Sequence, residues 1–415
     1  MRRVPRSLVA VVALCALWLV LIRGYADYLA RPLPARALAL DGNQPEALVR
    51  SAEGALREGK ADQAEAYARQ ALRRHPLEGR ALRILGATAE LRGDRVAARA
   101  LMAAAAAATP RDSATQFWLA INALADRDLD TALVKLDRLV RFEPELQSDV
   151  FPILATIATN PVGAPAIAPF LTANAPWRTR FIEGLIGQAP AVEDLMRLVR
   201  AIEQAGGRLS EAEVDRLAQR LWAGGDWRRL RTLLAREAGA EATPALVRDG
   251  GFDGTGRGPF LGWAVRRVPG ADTWIGAEPG SGRSVLHVSF HDRRVAYAHV
   301  QQALMLDPGR YRLTAQARLA NLRTARGLRW VLSCTGRGQP IGQSELLLGS
   351  TDWRPVSAHF EVPAENCGGQ LLTLMLEARI AAEQQVAGDA WFDDLQILPE
   401  SLLSGTDMSL RGLAE

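Results

Sequence analysis

Three prolines divide the first third of the chain into segments of equal length. Pro76, Pro110 and Pro144 are equally spaced, and the same period recurs in small residues. Small side chains are needed where two helix backbones approach closely. With each proline at position 32 of a repeat, position 8 holds Ala52, Gly86 and Ala120, and position 20 holds Ala64, Ala98 and Ala132. This period indicates stacked structural repeats, so we predict an extended array for this part of the chain.

The pattern resembles the tetratricopeptide repeat, in which a unit of about 34 residues forms a pair of helices. In this register the repeats cover residues 45–78, 79–112 and 113–146. Position 27 holds Ala71, Ala105 and Leu139, and the turns between paired helices fall at 58–60, 92–94 and 126–128. The resemblance implies an all-α solenoid over residues 45–146, which binds a protein partner on a concave surface.

Helical spacing continues, with a fading repeat, through residues 147–245. Two stretches keep apolar residues at this spacing, Val192–Gln204 and Ser210–Leu221. Ser210 and Glu213 have the form of a capping box, which opens a helix. Four prolines within residues 160–176 are expected to break the solenoid. We predict degenerate helical repeats that extend the array.

An apolar run near the N-terminus predicts a membrane segment. Leu8–Ile22 contains no charged residue, and three arginines precede it. The length of this run fits both a signal-peptide core and a short spanning helix. The next small-x-small site, at Ala30, is a poor match for cleavage because Tyr28 precedes it by two residues. We therefore expect an uncleaved signal anchor or transmembrane helix over residues 1–24, with cleavage as the alternative.

The composition changes near Asp249, where helical spacing ends and short alternating stretches begin. Apolar residues alternate with polar ones in Tyr311–Leu319, Leu328–Cys334 and Val356–Val362. Such alternation predicts strands with one buried face, and further strands are expected at Ser284–Phe290, Gln370–Ile380 and Ala390–Leu398. About eight strands with Gly and Pro turns indicate an all-β antiparallel sandwich over residues 247–398. Residues 399–415 are expected to form a flexible tail.

Motifs along this region suggest a family. It opens with Gly250-Gly251-Phe252-Asp253, passes through Leu306-Asp307-Pro308-Gly309 and ends with Trp391-Phe392-Asp393-Asp394. This order resembles the jelly-roll carbohydrate-binding modules of the galactose-binding-like group, although Asp253 stands where that group often has Glu. The resemblance implies a jelly roll that binds a polysaccharide. Together with the anchor and the repeats, it is similar to proteins encoded with bacterial exopolysaccharide systems.

The same resemblance implies a structural calcium ion between the first and last strands. Asp253 and Asp393 are the candidate ligands, with Asp394 as a further one, since oxygen ligands suit Ca²⁺. Simple alternation places Asp393 on the same face as Leu395 and Ile397, so its carboxylate would point into the core and need a cation or several donors. A turn-capping or Arg-paired Asp is the alternative.

Two cysteines of the β domain, Cys334 and Cys367, are predicted to form a disulfide. They lack the CxxC spacing of a metal or redox site, and two buried free thiols are the alternative. Closing this loop would stabilise the domain by about 3–4 kcal/mol. Because disulfides persist in the periplasm and outside cells, the pair supports export of everything after residue 23. Together with the anchor and the resemblance, this implies a single-pass protein of the bacterial inner membrane with its bulk in the periplasm.

Aromatic residues supply the candidate sugar-binding positions, because the C–H faces of sugars pack on flat rings. Trp274 lies in a polar stretch beside Asp272 and is predicted to stack on a sugar. Tyr297 and Arg294 belong to a polar segment that could line a groove, with a solvated edge strand as the alternative. Trp330 and Trp353 are predicted to lie in the core.

Charge and motifs restrict the function class. The chain has 50 basic and 46 acidic residues, and residues 1–40 hold six arginines against Asp27. The basic excess surrounds the apolar run, so we predict no nucleic-acid partner. The sequence contains no GxSxG, Walker or HExxH motif, and no GxGxxG before a helix. We predict a non-catalytic, membrane-anchored periplasmic scaffold for exopolysaccharide or cell-envelope glycan assembly or export. The alternatives are a pure protein scaffold that binds no sugar and an enzyme that acts on glycans.

Overall fold

The computed structural model describes residues 6–172, 175–188, 191–238, 246–254, 258–335 and 339–401, without the side chains of residues 6–16 and 19. The chain divides into two compact units. The first contains residues 1–178 with 200–207, and the second contains residues 179–199 with 208–415. Parts of the predicted anchor over residues 1–24, residue 245 at the predicted domain boundary and most of the predicted tail over 399–415 lie outside the described residues.

Helices form the first unit. They are α1 (Arg6–Leu29), α2 (Pro34–Leu40), α3 (Pro45–Arg57), α4 (Ala61–Arg74), α5 (Gly79–Leu91), α6 (Arg95–Ala108), α7 (Ser113–Ala125), α8 (Leu129–Phe142), α9 (Gln147–Thr159) and α10 (Gly163–Thr172). From α3 to α8, the first helices of successive pairs start one repeat period apart, and so do the second helices. This confirms three helical-pair repeats.

Small residues hold the helices of each pair close together. The predicted crossing positions Ala52, Ala64, Ala98, Ala120 and Ala132 are all buried. At Gly86 in α5, an added Cβ would lie 3.0 Å from Cγ of Met102 in α6. The periodic pattern of small residues is therefore a packing requirement, and larger side chains at these positions would separate the helices.

Ion pairs join neighbouring repeats at equivalent positions, but with the charges exchanged. Between the first and second repeats, Arg92 at the end of α5 forms an ion pair with Glu65 of α4. Between the second and third repeats, Asp126 at the end of α7 forms an ion pair with Arg99 of α6 at 2.7 Å. Each partner lies one repeat period from its counterpart. The exchanged charges disfavour pairing of the repeats in a different order, because like charges would then meet.

The first helices of the repeats are also linked by shared carboxylates. Glu53 of α3 accepts hydrogen bonds from both Arg80 and Arg83 of α5, each at 2.9 Å. Burial of Glu53 works against its charged form, but the two arginines lower the pKa of this carboxyl. Arg83 also pairs with Asp112, which caps α7. The network therefore extends across three successive first helices.

The end of α1 packs directly on the start of the array. Ala26, Leu29 and Ala30 are buried, and the Gln44 amide donates to Asp27 Oδ1 at 3.1 Å. Trp18 and Tyr28, in contrast, are exposed. Among the helices whose side chains are described, none is long and apolar enough to cross a bilayer.

Part of the proline-rich segment after the third repeat is helical, since residues 163–172 form α10. The predicted break of the solenoid within residues 160–176 stays a prediction. Pro161 precedes α10, and Pro165 lies in its first turn. A proline costs little at either position, because the first backbone N–H groups of a helix have no intrahelical acceptor. Only Pro169 lies farther inside the helix.

The second unit begins with helices and continues as a sandwich. Its helices are α11 (Arg178–Gln188), α12 (Val192–Gln204), of which residues 200–204 group with the first unit, α13 (Glu211–Ala223) and α14 (Trp227–Ala238). The predicted capping box opens α13, where Glu213 N donates to Ser210 Oγ and Ser210 N donates to Glu213 Oε2. Trp222 and Trp227 pack edge to face, and an added Cβ at Gly369 would clash with both rings.

Ten strands form two five-stranded antiparallel sheets. They are β1 (Ala264–Val265), β2 (Ala271–Ala277), β3 (Ser284–Arg294), β4 (Val300–Leu304), β5 (Gly309–Thr324), β6 (Leu328–Cys334), β7 (Pro340–Gln343), β8 (Gly349–Val362), β9 (Gln370–Leu376) and β10 (Gln385–Pro399). Sheet I has the order β1-β4-β9-β6-β7, and sheet II has the order β2-β3-β10-β5-β8. The antiparallel sandwich is thus confirmed, with Trp330 fully buried between the sheets.

One strand prediction for this unit needs correction, because the strand expected over Gln370–Ile380 ends at Leu376. The Gly250–Asp253 segment forms no strand, and Phe252 has a left-handed backbone there (φ 54°). The Gly250 carbonyl accepts a hydrogen bond from Leu395 N at 2.9 Å. Residues 291–294 continue β3 through a bulge at Asp292.

The predicted disulfide is present at the end of sheet I. Cys334 and Cys367 are bonded, with their Cα atoms 4.9 Å apart. The buried Gln370 amide donates to the Cys367 carbonyl at 2.7 Å and accepts from Leu306 N at 2.8 Å. The bridge and this amide together fix the loop that enters β9.

Arg127 gives a direct test of turn geometry in the repeats. The three turns between paired helices need a left-handed residue, which is Gly59 (φ 75°), Gly93 (φ 81°) and Arg127 (φ 64°). Because a Cβ is disfavoured in this region, Arg127→Gly should stabilise the first unit by about 1 kcal/mol, and Gly93→Arg should destabilise it by a similar amount. Urea unfolding followed by far-ultraviolet circular dichroism measures both. Unchanged midpoints for the two variants would contradict this account.

Candidate functional site

A row of aromatic and cationic side chains crosses the outer face of sheet II. Register places Trp274 of β2 opposite His287 of β3, His287 opposite Trp391 of β10, and Trp391 opposite Arg318 of β5. Directly opposed residues in antiparallel strands lie on the same face. Their neighbours Leu286, Phe392 and Ala317 are buried, so the four side chains point away from the core.

Trp353 of β8 and Arg283, just before β3, complete the row. The Arg318 Cζ atom lies 5.3 Å from the ring centre of Trp353, and Arg283, which precedes β3, lies 4.5 Å from the same ring. We refer to Trp274, His287, Trp391, Arg318, Trp353 and Arg283 as the row. All six side chains are half-buried.

Ring geometry shows how tightly the centre of the row is packed. His287 stacks on Trp391 with ring centres 4.6 Å apart and an angle of 11°, and Arg318 Cζ lies 4.3 Å from the centre of Trp391. Trp274 packs edge to face against His287, with the ring centres 5.4 Å apart and an angle of 72° between the ring planes. A cation over an indole face contributes about 0.5–1 kcal/mol at exposed sites.

Carboxylates hold the cations of the row in place. Glu278 accepts from Arg318, and Asp393 and Asp394 accept from Arg283, the latter at 3.0 Å. The hydrogen bond from Arg318 lowers the pKa of Glu278. The stability that this pair contributes is therefore present above the ordinary pKa of a glutamate and is lost as the pH falls through the lowered value. His287 Nε2 lies 3.0 Å from Asp389 Oδ1.

Asp393 does not share the core face with Leu395 and Ile397, as simple alternation predicted. A bulge falls between Asp393 and Gln396, and Asp394 has a left-handed backbone (φ 51°). One extra residue reverses the faces of the strand at this point. Asp393 therefore belongs to the outer face, where it is 6% exposed beneath Arg283. This is the Arg-paired alternative for that carboxylate.

The calcium prediction stays untested. Asp253 has an exposed side chain, and its backbone N–H donates to Asp249 Oδ1 at 2.7 Å. Within the described part of the chain, no three His, Cys, Asp or Glu side chains are grouped so that they could hold a metal ion. Asp253 and Asp393 would have to bind the ion together with backbone carbonyls, and Arg283 would have to leave Asp393.

The other predicted ligand-binding residues are not brought together. Trp274 lies at one end of the row, as a surface ring would. Tyr297 lies in the core with 1% exposure, its hydroxyl 2.9 Å from Thr273 Oγ1, and burial raises its pKa. Its ring is therefore not offered to a ligand. Arg294 is exposed at the end of β3, away from the register of the row.

Sequence reasoning missed most of the row. Trp353 was expected in the core, but Val356 and Ala358 face inward on β8, which places Trp353 on the outer face with Pro355 and Ser357. The alternation within β8 contained this signal. The position of Trp391 could not be read in the same way, because the bulge that follows it changes the faces of β10.

Comparisons with known proteins found similar folds for each part. No family model matches the chain, and no curated protein matches it. A solved structure described as CBM4 is 15% identical, covers 37% of this chain and 99% of its own, and has a TM-score of 0.28. The CBM22-1 xylan-binding domain of Xyn10C from Paenibacillus barcinonensis is 15% identical, covers 39% of this chain and 97% of its own, and has a TM-score of 0.27. YrrB, a TPR protein with an unusual peptide-binding site, is 10% identical, covers 49% of this chain and 90% of its own, and has a TM-score of 0.28. At these identities and TM-scores, function has to be inferred from the residues of this chain.

Arg318 should be the residue on which the stability of the row depends most. Arg318→Met keeps the apolar stem but removes the guanidinium from two indoles and from Glu278, so we expect a loss of about 1–2 kcal/mol. Urea unfolding followed by near-ultraviolet circular dichroism measures it. Arg312→Met, on the same face of β5 but exposed, is the control and should stay within about 0.5 kcal/mol of the wild type.

A double-mutant cycle isolates the contact between Arg318 and Trp391. Arg318→Met combined with Trp391→Leu should cost less than the sum of the single changes, by about 0.5–1 kcal/mol. Strict additivity would mean that the two side chains lie side by side without stabilising each other.

Proposed function

We propose that this protein is a non-catalytic scaffold whose second unit binds a polysaccharide across the outer face of sheet II. Its first unit would bind a protein partner through the helical repeats. The N-terminal apolar run would anchor it in the bacterial inner membrane, with its bulk in the periplasm. Its role would lie in exopolysaccharide or cell-envelope glycan assembly or export.

The in-register row is the observation that carries the sugar-binding part. It spans all five strands of sheet II, a distance of about 19 Å at the usual strand spacing, so it could contact several sugar units of one chain. Indole faces fit the C–H faces of sugars, while the adjoining carboxylates and guanidiniums can hydrogen-bond to hydroxyl groups. Trp274 and Trp353 stand near opposite edges of the sheet and are the proposed stacking residues.

The charge of this face favours a neutral or amino-bearing glycan. Four carboxylates lie around the row, those of Glu278, Asp389, Asp393 and Asp394. Two guanidiniums lie among them, those of Arg283 and Arg318. Without His287, these six groups carry a net charge of −2. A polyuronate would meet repulsion here, whereas an ammonium group would find a partner in the exposed carboxylate of Asp394.

Two other features support the remaining parts of the proposal. The Cys334–Cys367 disulfide suits an oxidising compartment. Trp18 lies near the end of the charge-free stretch, and Tyr25 and Tyr28 follow it. All three are exposed, at the position where aromatic rings sit in an interface. Repeat arrays of paired helices present an extended surface to protein partners.

A pure protein scaffold is the second candidate, and one observation favours it. Trp391 lies between His287 and Arg318, and both Arg283 and Arg318 lie by Trp353, so much of the aromatic surface is already in contact with protein. In that case the row would only stabilise sheet II.

Oligosaccharide binding by the full-length protein separates the two candidates. Calorimetry with cellohexaose, xylohexaose, chitohexaose, a glucosamine hexamer and a galacturonate hexamer should show saturable binding to a neutral or amino hexamer and none to the galacturonate hexamer. Trp274→Ala should weaken binding about tenfold by removing one stacking ring. Trp118→Ala, a half-buried tryptophan of α7 in the first unit, is the matched control and should bind as the wild type does.

The opposite results have definite meanings. Absence of binding to every hexamer by folded protein would favour the pure scaffold. Binding that Trp274→Ala and Trp353→Ala leave unchanged would place the sugar site away from the row.

Membrane anchoring has its own test. After expression in bacteria and an alkaline carbonate wash, the full-length protein should stay with the membrane fraction, and a variant without residues 1–24 should be released. Release of both proteins would contradict the anchor, whereas retention of both would assign the membrane contact to another part of the chain.

A further inference from the structure

The turn between β2 and β3 lies against the row from outside the sheet. It comprises residues 278–283 and is closed by a hydrogen bond from Glu278 N to the Arg283 carbonyl at 2.8 Å. Gly280 (φ 83°) and Gly282 (φ 68°) give it a left-handed backbone, and an added Cβ at either would meet nothing within 4 Å. Residues 279–282 are exposed, and Ser281 forms hydrogen bonds with Glu278 and Arg283 at the two ends of the turn.

Each end of the turn is held by a charge that reaches across sheet II. Glu278, just after β2, pairs with Arg318 of β5, although β3 and β10 lie between these strands. Arg283, just before β3, pairs with Asp393 and Asp394 of β10. The side chains at both ends of the turn therefore form ion pairs with strands from the middle of sheet II.

Arg283 also covers an indole that the proposed function needs. Its guanidinium carbon lies 4.5 Å from the centre of Trp353, which is the distance at which a stacked ligand ring would sit. The Arg283 side chain is 36% exposed, so it can leave without disturbing the core. A sugar that stacks on this face of Trp353 must displace Arg283 first.

We propose that the β2–β3 turn is a lid over the polysaccharide site, in which Arg283 takes the place of a sugar ring on Trp353 until ligand displaces it. This inference rests on the proposed function and adds a closed and an open state to that site. The closed state is the one in this structure, and the open state breaks the Arg283 contacts while the strands stay paired.

The lid gives binding an unusual salt dependence. Exposed ion pairs weaken in salt, because the Debye length falls from about 10 Å at 0.1 M to about 3 Å at 1 M. A neutral oligosaccharide has no charge of its own to be screened. Salt therefore acts on the lid alone, and the affinity for a neutral hexamer should rise with salt concentration.

The first experiment needs no ligand. Acrylamide quenching of tryptophan fluorescence in the full-length protein should increase for Arg283→Ala and for the wild type in about 1 M NaCl. The increase should vanish when Trp353→Phe is combined with Arg283→Ala. Arg293→Ala, an exposed arginine of β3 outside the row, is the matched control and should leave quenching unchanged. Equal quenching in Arg283→Ala and wild type would overturn the lid.

The second experiment measures affinity for xylohexaose and chitohexaose by calorimetry. Arg283→Ala should bind the neutral hexamer about threefold or more tightly than wild type, and its affinity should no longer rise with salt. Weaker binding by Arg283→Ala would overturn the lid and make Arg283 a ligand contact. If neither protein binds any hexamer, the proposed function fails, and the quenching experiment still decides whether Arg283 covers Trp353.

Discussion

The position of β10 between β3 and β5 is the constraint on which the outer face of sheet II depends. This long strand is paired on both sides, and its register brings Trp391 between His287 and Arg318. A slip of one residue would turn Trp391 into the core and Phe392 to solvent. The burial of Ala390 and Phe392 therefore fixes the register of β10. The row follows from this apolar pattern, although β10 itself contains neither of the two arginines of the row.

The helical repeats depend on a different constraint, which is the space between paired helices. Buried alanines at the crossing positions let the backbones approach, and the exchanged ion pairs Glu65–Arg92 and Arg99–Asp126 then favour one order of neighbours. The next equivalent positions hold Leu133 and Asn160, which cannot form such a pair. The ion-pair pattern therefore ends with the third repeat, where the sequence repeat also fades.

Features with a local cause could be predicted from the sequence, and features that depend on pairing could not. The repeat period predicted paired helices between residues 45 and 146 and the turns between them, and alternation predicted the inward faces of β5, β6 and β8. Each of these patterns is set by neighbouring residues. The row brings together residues from position 274 to position 391, so it requires the strand order and register of sheet II. Bulges at Asp292 and Asp394 also exchange the inward and outward faces of β3 and β10, and the alternation of apolar and polar residues does not predict these bulges.

The strength of the lid contacts decides whether the proposed site can work. Exposed ion pairs contribute about 0–1 kcal/mol each, and a cation on an exposed indole about 0.5–1 kcal/mol. Freeing Arg283 therefore costs on the order of 1–2 kcal/mol, which lowers the apparent affinity about tenfold. A single sugar ring on Trp353 barely offsets this cost, whereas a chain that also stacks on Trp274 gains contacts that the lid does not oppose. In the proposed site, the closed row would therefore discriminate against short sugars and in favour of polymers long enough to cross the sheet.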